Sequence, residues 1–350
     1  YEDGELVRWS FGGEARERTV LGRVPVIAAW PPLSWSADGR RFAAGSRYGG
    51  AAVWEVATGQ RLASFDVPLD AASLDAPVLS PGGDLLALTD REREELVLVD
   101  LAEGETALRL PGAKSFPAGV AFSPDGTQIA YGAGHRLLVT DVATGEQIAA
   151  LEGHPQDQVI SRVIWSPDGN ALVSASGQTG HDTTLAPLVL WQRDDRGAWA
   201  EVFRTETTRA GYDCCVPLAL FNPAGDLVAM EAFPSFEARG FKVVVYDLEA
   251  SEVILRLSEH KLEAWVSDEV LLVSEAQRWT WLVCWNVRTG ESTVSSRHAR
   301  NDSVYAPGGQ VYARPNAQDP YYSRGVQVQP WDAAGAMARD IYDGDVLRVL

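Results

Sequence analysis

Cysteine is scarce in this chain: three in 350 residues, at Cys214, Cys215 and Cys284. That is too few for a disulfide framework, and the adjacent pair bridges only across a distorted peptide. A reduced, cytoplasmic setting is the expectation. Long apolar runs are missing as well, and none approaches the ~20 residues of a membrane-spanning helix. Positive charge is short: 30 Lys+Arg stand against 48 Asp+Glu, a net charge of −18. Neither nucleic acid nor an anionic membrane is therefore expected as a partner. The five histidines, His135, His154, His181, His260 and His298, are scattered, with no H-x-H or H-E-x-x-H spacing for zinc. The dipeptide His181-Asp182 supplies too few ligands for a metal. There is no D-x-D-x-D-G calcium loop, no glycine loop opening a helix for phosphate and no G-x-S-x-G nucleophile motif. No cofactor, no metal and no catalytic residue is expected.

What the chain has instead is repetition. A short apolar strand runs into Ser-Pro-Asp-Gly or a near copy, and two further strands follow, the second ending in Trp or Asp. A Gly-containing turn then leads to a fourth. The clearest copy, residues 120–151, reads VAFSPDGTQIAYGAGHRLLVTDVATGEQIAAL. Naming the strands A to D, the A–B turn recurs at 36–39, 80–83, 123–126, 166–169, 222–225, 267–269 (degenerate) and 306–309. Pro pre-sets φ in such a turn, Asp or Asn bonds its own backbone, and Gly accepts a positive φ. Strand C closes at Trp9, Trp54, Asp100, Asp141, Trp191, Asp247, Trp285 and Asp332. These segments are rich in β-branched and aromatic residues, as strands favour. One four-stranded unit cannot bury both faces alone, so the units must stack.

Eight C strands against seven A–B hairpins suggest a ring in which the N-terminal segment completes the last unit, because an open edge invites aggregation. The expected fold is all-β: a seven-bladed β-propeller of four-stranded antiparallel blades, closed by pairing of the N- and C-terminal segments, with eight blades as the alternative. Residues 1–350 form one domain on this reading. A half-blade at 1–20 completes the ring, with blades at 33–66, 77–110, 119–152, 162–203, 217–257, 263–296 and 302–341.

The SPDG turn after strand A, the W/Y-D or W-x close of strand C and the T-G-E turn before strand D resemble the WD40-repeat β-propellers over essentially the whole length. The chain departs from that family in having one well-placed Gly-His, Gly153-His154. The resemblance implies that a single blade holds the family's structural Ser-His-Asp-Trp set, from His154, Ser174 or Ser176, Asp182 and Trp191. It also implies a sensing or scaffolding part of a larger, multidomain chain. The start at Tyr1, inside a repeat, agrees with an excised piece, and the Ala/Gly/Arg-rich composition with a bacterial source.

Loop length points to one rim. The A–B and C–D turns stay short, whereas the B–C and D–A connections expand at 177–187, 204–216, 232–240, 275–280 and 315–324. They carry Tyr212, Phe233, Phe236, Trp279, Tyr321 and Tyr322 among Arg209, Arg239, Arg278 and Arg324. Aromatic residues and Arg are the types that anchor interfaces. Cations also recur in the B–C connections, at Arg47, Arg91, Arg93, Arg136, Arg239, Arg278 and Arg324, with His181 in the remaining blade. They either make a basic ring or neutralise nearby carboxylates such as Asp90. The functional expectation is a non-catalytic scaffold or sensor module that takes a protein or acidic peptide on this face. The alternative is an enzyme or small-ligand binder using the central channel.

Overall fold

The computed structural model describes residues 4–12, 15–24, 33–45, 51–65, 77–90, 92–114, 119–177, 185–205, 208–209, 219–232, 242–275, 282–296, 304–305, 311–315 and 326–330. Six four-stranded antiparallel sheets make up the body, each a meander whose strands A to D lie side by side in chain order. They are sheet I (33–65), sheet II (78–111), sheet III (120–152), sheet IV (159–204), sheet V (219–258) and sheet VI (260–296). The chain divides into two compact units. Sheets I to IV belong to the first, Tyr1–Arg204 with Ala210–Val216, and sheets V and VI to the second, Thr205–Arg209 with Pro217–Leu350.

The closed seven-bladed ring, and the eight-bladed alternative, are not what the chain forms. Gly4–Gly12 pairs with Ala15–Val24 in a two-stranded sheet of its own. The last sheet has three strands, Val304–Tyr305, Val311–Pro315 and Val326–Pro330. Among the described residues no sheet closes into a barrel or ring. The physical reason is local: a hairpin across residues 13–14 closes a very short loop, whereas pairing with the last sheet closes nearly the whole chain.

Burial follows from stacking. In sheet III the central strands Gln128–Ala133 and Arg136–Asp141 are buried in continuous runs, while the outer strand Gln147–Glu152 is mostly exposed. Alternate residues serve different neighbours, as a period of two requires. Ile129, Tyr131 and Leu138 pack with Leu96, Leu98 and Ala87 of sheet II. Ala130, Leu137 and Val139 pack with Ile160, Leu172 and Val189 of sheet IV. In the second unit Ala229, Val243 and Val245 of sheet V meet Leu262, Leu271 and Val273 of sheet VI.

The repeated turns are built from side chains. Ser123 is buried; its hydroxyl donates to Asp125 Oδ1 at 2.6 Å and accepts the Gln128 N–H at 2.9 Å. Ser36 with Asp38, Ser80 with Asp84 and Ser166 with Asp168 repeat the pattern, and Asn222 plays the same part in sheet V. Gly126 completes the turn at φ 74°, a conformation costly for any other residue. The Asp or Asn that closes strand C has an equally local role. Asp141 Oδ1 accepts the N–H groups of Ala143 and Thr144, and Asp100, Asp247 and Asn286 do likewise.

Strand D carries a bulge at one position in five sheets. Leu62, Ala107, Ile148, Val202 and Ile254 are skipped in the pairing with strand C, opposite Val53/Trp54, Leu98/Val99, Val139/Thr140, Leu190/Trp191 and Val245/Tyr246. Leu62, Ile148 and Val202 are also exposed large apolar residues, at 41%, 44% and 36%. Their exposure is thus a product of the bulge, which twists an open edge and spoils it as a template for another chain.

Candidate functional site

Sheets I and II pack through Ala43, Ala51 and Val53 against Leu79, Leu86 and Leu88, but they do not meet everywhere. A groove of about 370 Å³ remains between them, a volume suited to a small organic ligand. Its floor is Leu88, Val97 and Val99 of sheet II, and Phe65 of sheet I stands at one wall. The floor residues keep 8%, 9% and 6% accessibility, whereas Leu96 and Leu98, turned towards sheet III, keep 0%.

The rim is polar. Asp90 ends strand B of sheet II, and Arg93 sits in the following turn, where Glu94 takes φ 55°. The Arg93 backbone N–H donates to Asp90 Oδ1 at 3.1 Å and Nη1 to Oδ2 at 2.8 Å. Burial alone would raise the Asp90 pKa, but these bonds outweigh it and hold the carboxyl below its usual range. On strand D of the same sheet, next to Val97, Arg109 makes one ion pair among the described residues, from Nη1 to Glu95 Oε2 at 3.2 Å, with both side chains partly exposed. Ser64 and Thr106 add hydroxyls to the lining.

Most residues expected to take a partner lie outside the described residues: Tyr212, Phe233, Phe236, Arg239, Arg278, Trp279, Tyr321, Tyr322 and Arg324. Arg209 lies in the short strand Thr208–Arg209, and its side chain is outside the description. Of the expected basic ring, Arg93 and Arg136 are described. Arg93 is neutralised by Asp90, while Arg136 is exposed at the start of strand C of sheet III. The groove itself was not anticipated. Leu88, Val97 and Val99 read as ordinary core in a continuous apolar strand, and they do pack in the cluster with Ala43, Ala51 and Val53; periodicity gives no sign that they line a groove as well.

Two further polar clusters are buried. His154 Nε2 lies 2.7 Å from Ser174 Oγ, which also accepts the Trp191 indole N–H at 2.8 Å. Ser176 bonds instead to Gln158 Oε1 at 2.6 Å, and Asp182 lies outside the described residues. Burial, followed by the charges of Arg204 and His135, pushes the His154 pKa down to about 3. A methyl group on Gly153 would sit 2.7 Å from the Trp191 ring, so the Gly-His pair is required by packing. In the second unit Ser274 donates to Glu263 Oε1 at 2.6 Å and Lys261 Nζ lies 3.9 Å from the same oxygen. Burial raises the pKa of Glu263 despite both. Cys284 is half-buried with its thiol pushed up to about 11, which makes it a poor nucleophile. Among the described residues no three His, Cys, Asp or Glu side chains stand together to hold a metal.

The segment around His154 is where the comparison with known families speaks. The family described as WD domain, G-beta repeat matches residues 145–185. Over that segment the chain is similar to the WD40 repeat. An uncharacterized WD repeat-containing protein of Synechocystis sp. supports the WD40 assignment, being 31% identical over 115 residues. That match covers 33% of this chain and 30% of the relative. In fold, the chain is similar to a chain of Kuenenia stuttgartiensis hydrazine synthase. The TM-score is 0.54 at 14% identity, over 89% of this chain and 98% of the other. At that identity the likeness concerns the fold alone. Both named proteins come from bacteria, in line with the bacterial source read from composition.

The expectation that the chain is not an enzyme is overturned at this point. The same fold, over nearly all of both chains, serves in hydrazine synthase, which is an enzyme. The missing sequence motifs carried that expectation, and a sheet framework assembles sites from residues far apart in sequence, where motifs have no hold. No helix among the described residues is long and apolar enough to cross a membrane.

Proposed function

We propose that this chain binds a small ligand in the groove between sheets I and II. One observation carries the reading: a groove whose apolar floor is formed by the buried residues Leu88, Val97 and Val99, bordered by a polar rim that includes Arg93 and Arg109. Ligand sites combine such a floor with a few orienting polar groups. This replaces the central channel as the place of binding, since that channel needed a closed ring. The fold's occurrence in hydrazine synthase supports a ligand-handling reading over a pure scaffold.

The test blocks the groove. Ser64 is exposed at its edge, so Ser64→Trp fills it without disturbing the core. N-phenyl-1-naphthylamine, an uncharged fluorescent probe, is expected to bind the wild type and to lose at least about tenfold in affinity in the variant. Equal binding by both proteins, or none by the wild type, ends the reading. Thr106→Trp repeats the block from the other wall should the first variant unfold.

A second reading has its own support in the lengths of the connections. Strand B to strand C runs from Gly177 to Leu188 in sheet IV and from Ala232 to Lys242 in sheet V, while every A–B turn is short. A protein or acidic peptide would dock there through Arg209, Tyr212, Phe233, Phe236, Arg239, Arg278, Trp279, Tyr321, Tyr322 and Arg324. Ser64→Trp leaves such docking unchanged, which separates the two readings.

A further inference from the structure

We infer that the ligand of this groove is an amphipathic oxyanion, with its apolar body on Leu88, Val97 and Val99 and its charged head on Arg109. The inference rests on the groove reading and adds the chemical class. The two rim arginines are not equivalent. Arg93 is committed: Asp90 is buried, takes both the backbone N–H and the guanidinium of Arg93, and would be left unpaired if Arg93 turned away. Arg109 is not committed. It touches Glu95 through one nitrogen at 3.2 Å, and the two side chains keep 48% and 28% exposure. A single-contact pair so exposed to water is worth at most about 1 kcal/mol and exchanges readily.

A guanidinium presents five donors in a planar fork and suits a two-oxygen acceptor. Glu95 occupies one edge of the Arg109 fork at best, and Arg109 lines the groove. An incoming carboxylate or phosphate, drawn to the fork by the apolar fit of its tail, gains the two-point geometry that Glu95 does not use. An uncharged ligand gains nothing there, and a cationic one would meet Arg93 and Arg109 together. Ser64 and Thr106 offer further hydroxyl donors to the head group.

The experiment compares two fluorescent probes of similar shape on the intact chain. One is 1-anilinonaphthalene-8-sulfonate, which carries an oxyanion; the other is N-phenyl-1-naphthylamine, which does not. Arg109→Gln is expected to weaken the sulfonate about tenfold, as loss of a charge-assisted hydrogen bond does, and the neutral probe less than twofold. Raising salt from 0.05 to 0.5 M should weaken the sulfonate in the wild type and have little effect in Arg109→Gln. Decanoate and decyl phosphate then compete against the sulfonate, and the stronger one tells a carboxylate head from a phosphate head. If Arg109→Gln affects both probes alike or neither, or if neither anion competes better than 1-decanol, the inference fails. That failure is distinct from failure of the groove reading, in which Ser64→Trp leaves the neutral probe's binding untouched.

Discussion

Acidification from pH 7 to pH 4.5 should destabilise the first unit through His154 in particular. The imidazole is buried between Ser174 and the surrounding sheets, and its folded-state pKa is pushed from 6.5 down to about 3, chiefly by burial. In the unfolded chain the same group protonates near 6.5. Between those two values the unfolded state binds a proton that the folded state refuses. The stabilisation is therefore complete above about pH 6.5 and is lost as pH falls towards 3. Over the interval from pH 7 to 4.5 linkage gives a loss of roughly 2–3 kcal/mol from this one group. Urea unfolding at both pH values, for the wild type and His154→Gln, measures it. The variant starts less stable, because Ser174 loses a partner, but it should show a pH-dependent loss smaller by roughly 2–3 kcal/mol. Subtracting the two removes the carboxylates common to both proteins. The reasoning is refuted by equal losses in the two proteins, or by an NMR titration in which the His154 ring protonates with a midpoint above pH 5.

Two further outcomes follow from the turns. Ser123→Ala removes the acceptor of the Gln128 N–H and the donor to Asp125 at once. It should cost about 1–3 kcal/mol in urea unfolding, and the Asp125 carboxyl, held low first by Ser123, should titrate closer to its ordinary value. Ser251 takes φ 55° in the C–D turn of sheet V, where the other sheets place Gly59, Gly104, Gly145 and Gly290. Ser251→Gly should raise stability by about 0.5–1 kcal/mol, the left-handed strain being relieved against a smaller entropic cost in the unfolded chain, and a drop in stability would contradict it.

The repeating parts of the fold were legible because they are local. The SPDG turn, the residue closing strand C and the glycine four positions later are short-range hydrogen-bonding devices, and each appears where the sequence puts it. Ser123 shows what the pattern withheld: the motif marks a turn, but not that its buried serine ties the turn to strand B. Closure was not legible. Leu6–Trp9 looks like any other C strand, and a strand's composition carries no record of which partner is nearest in the chain. Here Ala15–Val24 was nearer than the last sheet. Arg109 escaped notice for a related reason. On an outer strand of alternating exposure, a receptor and a solvated surface cation have the same sequence context.

The contact between sheets I and II nevertheless has a trace in the sequence, visible once the sheets are compared position by position. Strand C of sheet I reads AAVWE and strand C of sheet III reads RLLVTD. Aligned on the strand D bulge, which lies opposite Val53/Trp54 and Val139/Thr140, Ala51 stands where Leu137 stands. Leu137 fills the space between sheets III and IV, packing with residues such as Ile160 and Val189. Ala51 faces sheet II with three carbons fewer. In a close-packed interior a leucine-sized deficit either collapses or stays open, and collapse needs the neighbours to move. Sheet II cannot move freely towards sheet I, because its opposite face is held against sheet III by Leu96, Leu98 and Ala87. The stacking that holds sheet II on its other face thus limits how far it can close on sheet I, where Ala51 is nonetheless buried. The groove opens instead at the edge of that contact, beside Ser64 and Phe65 of strand D, where sheet II's Leu88, Val97 and Val99 form its floor.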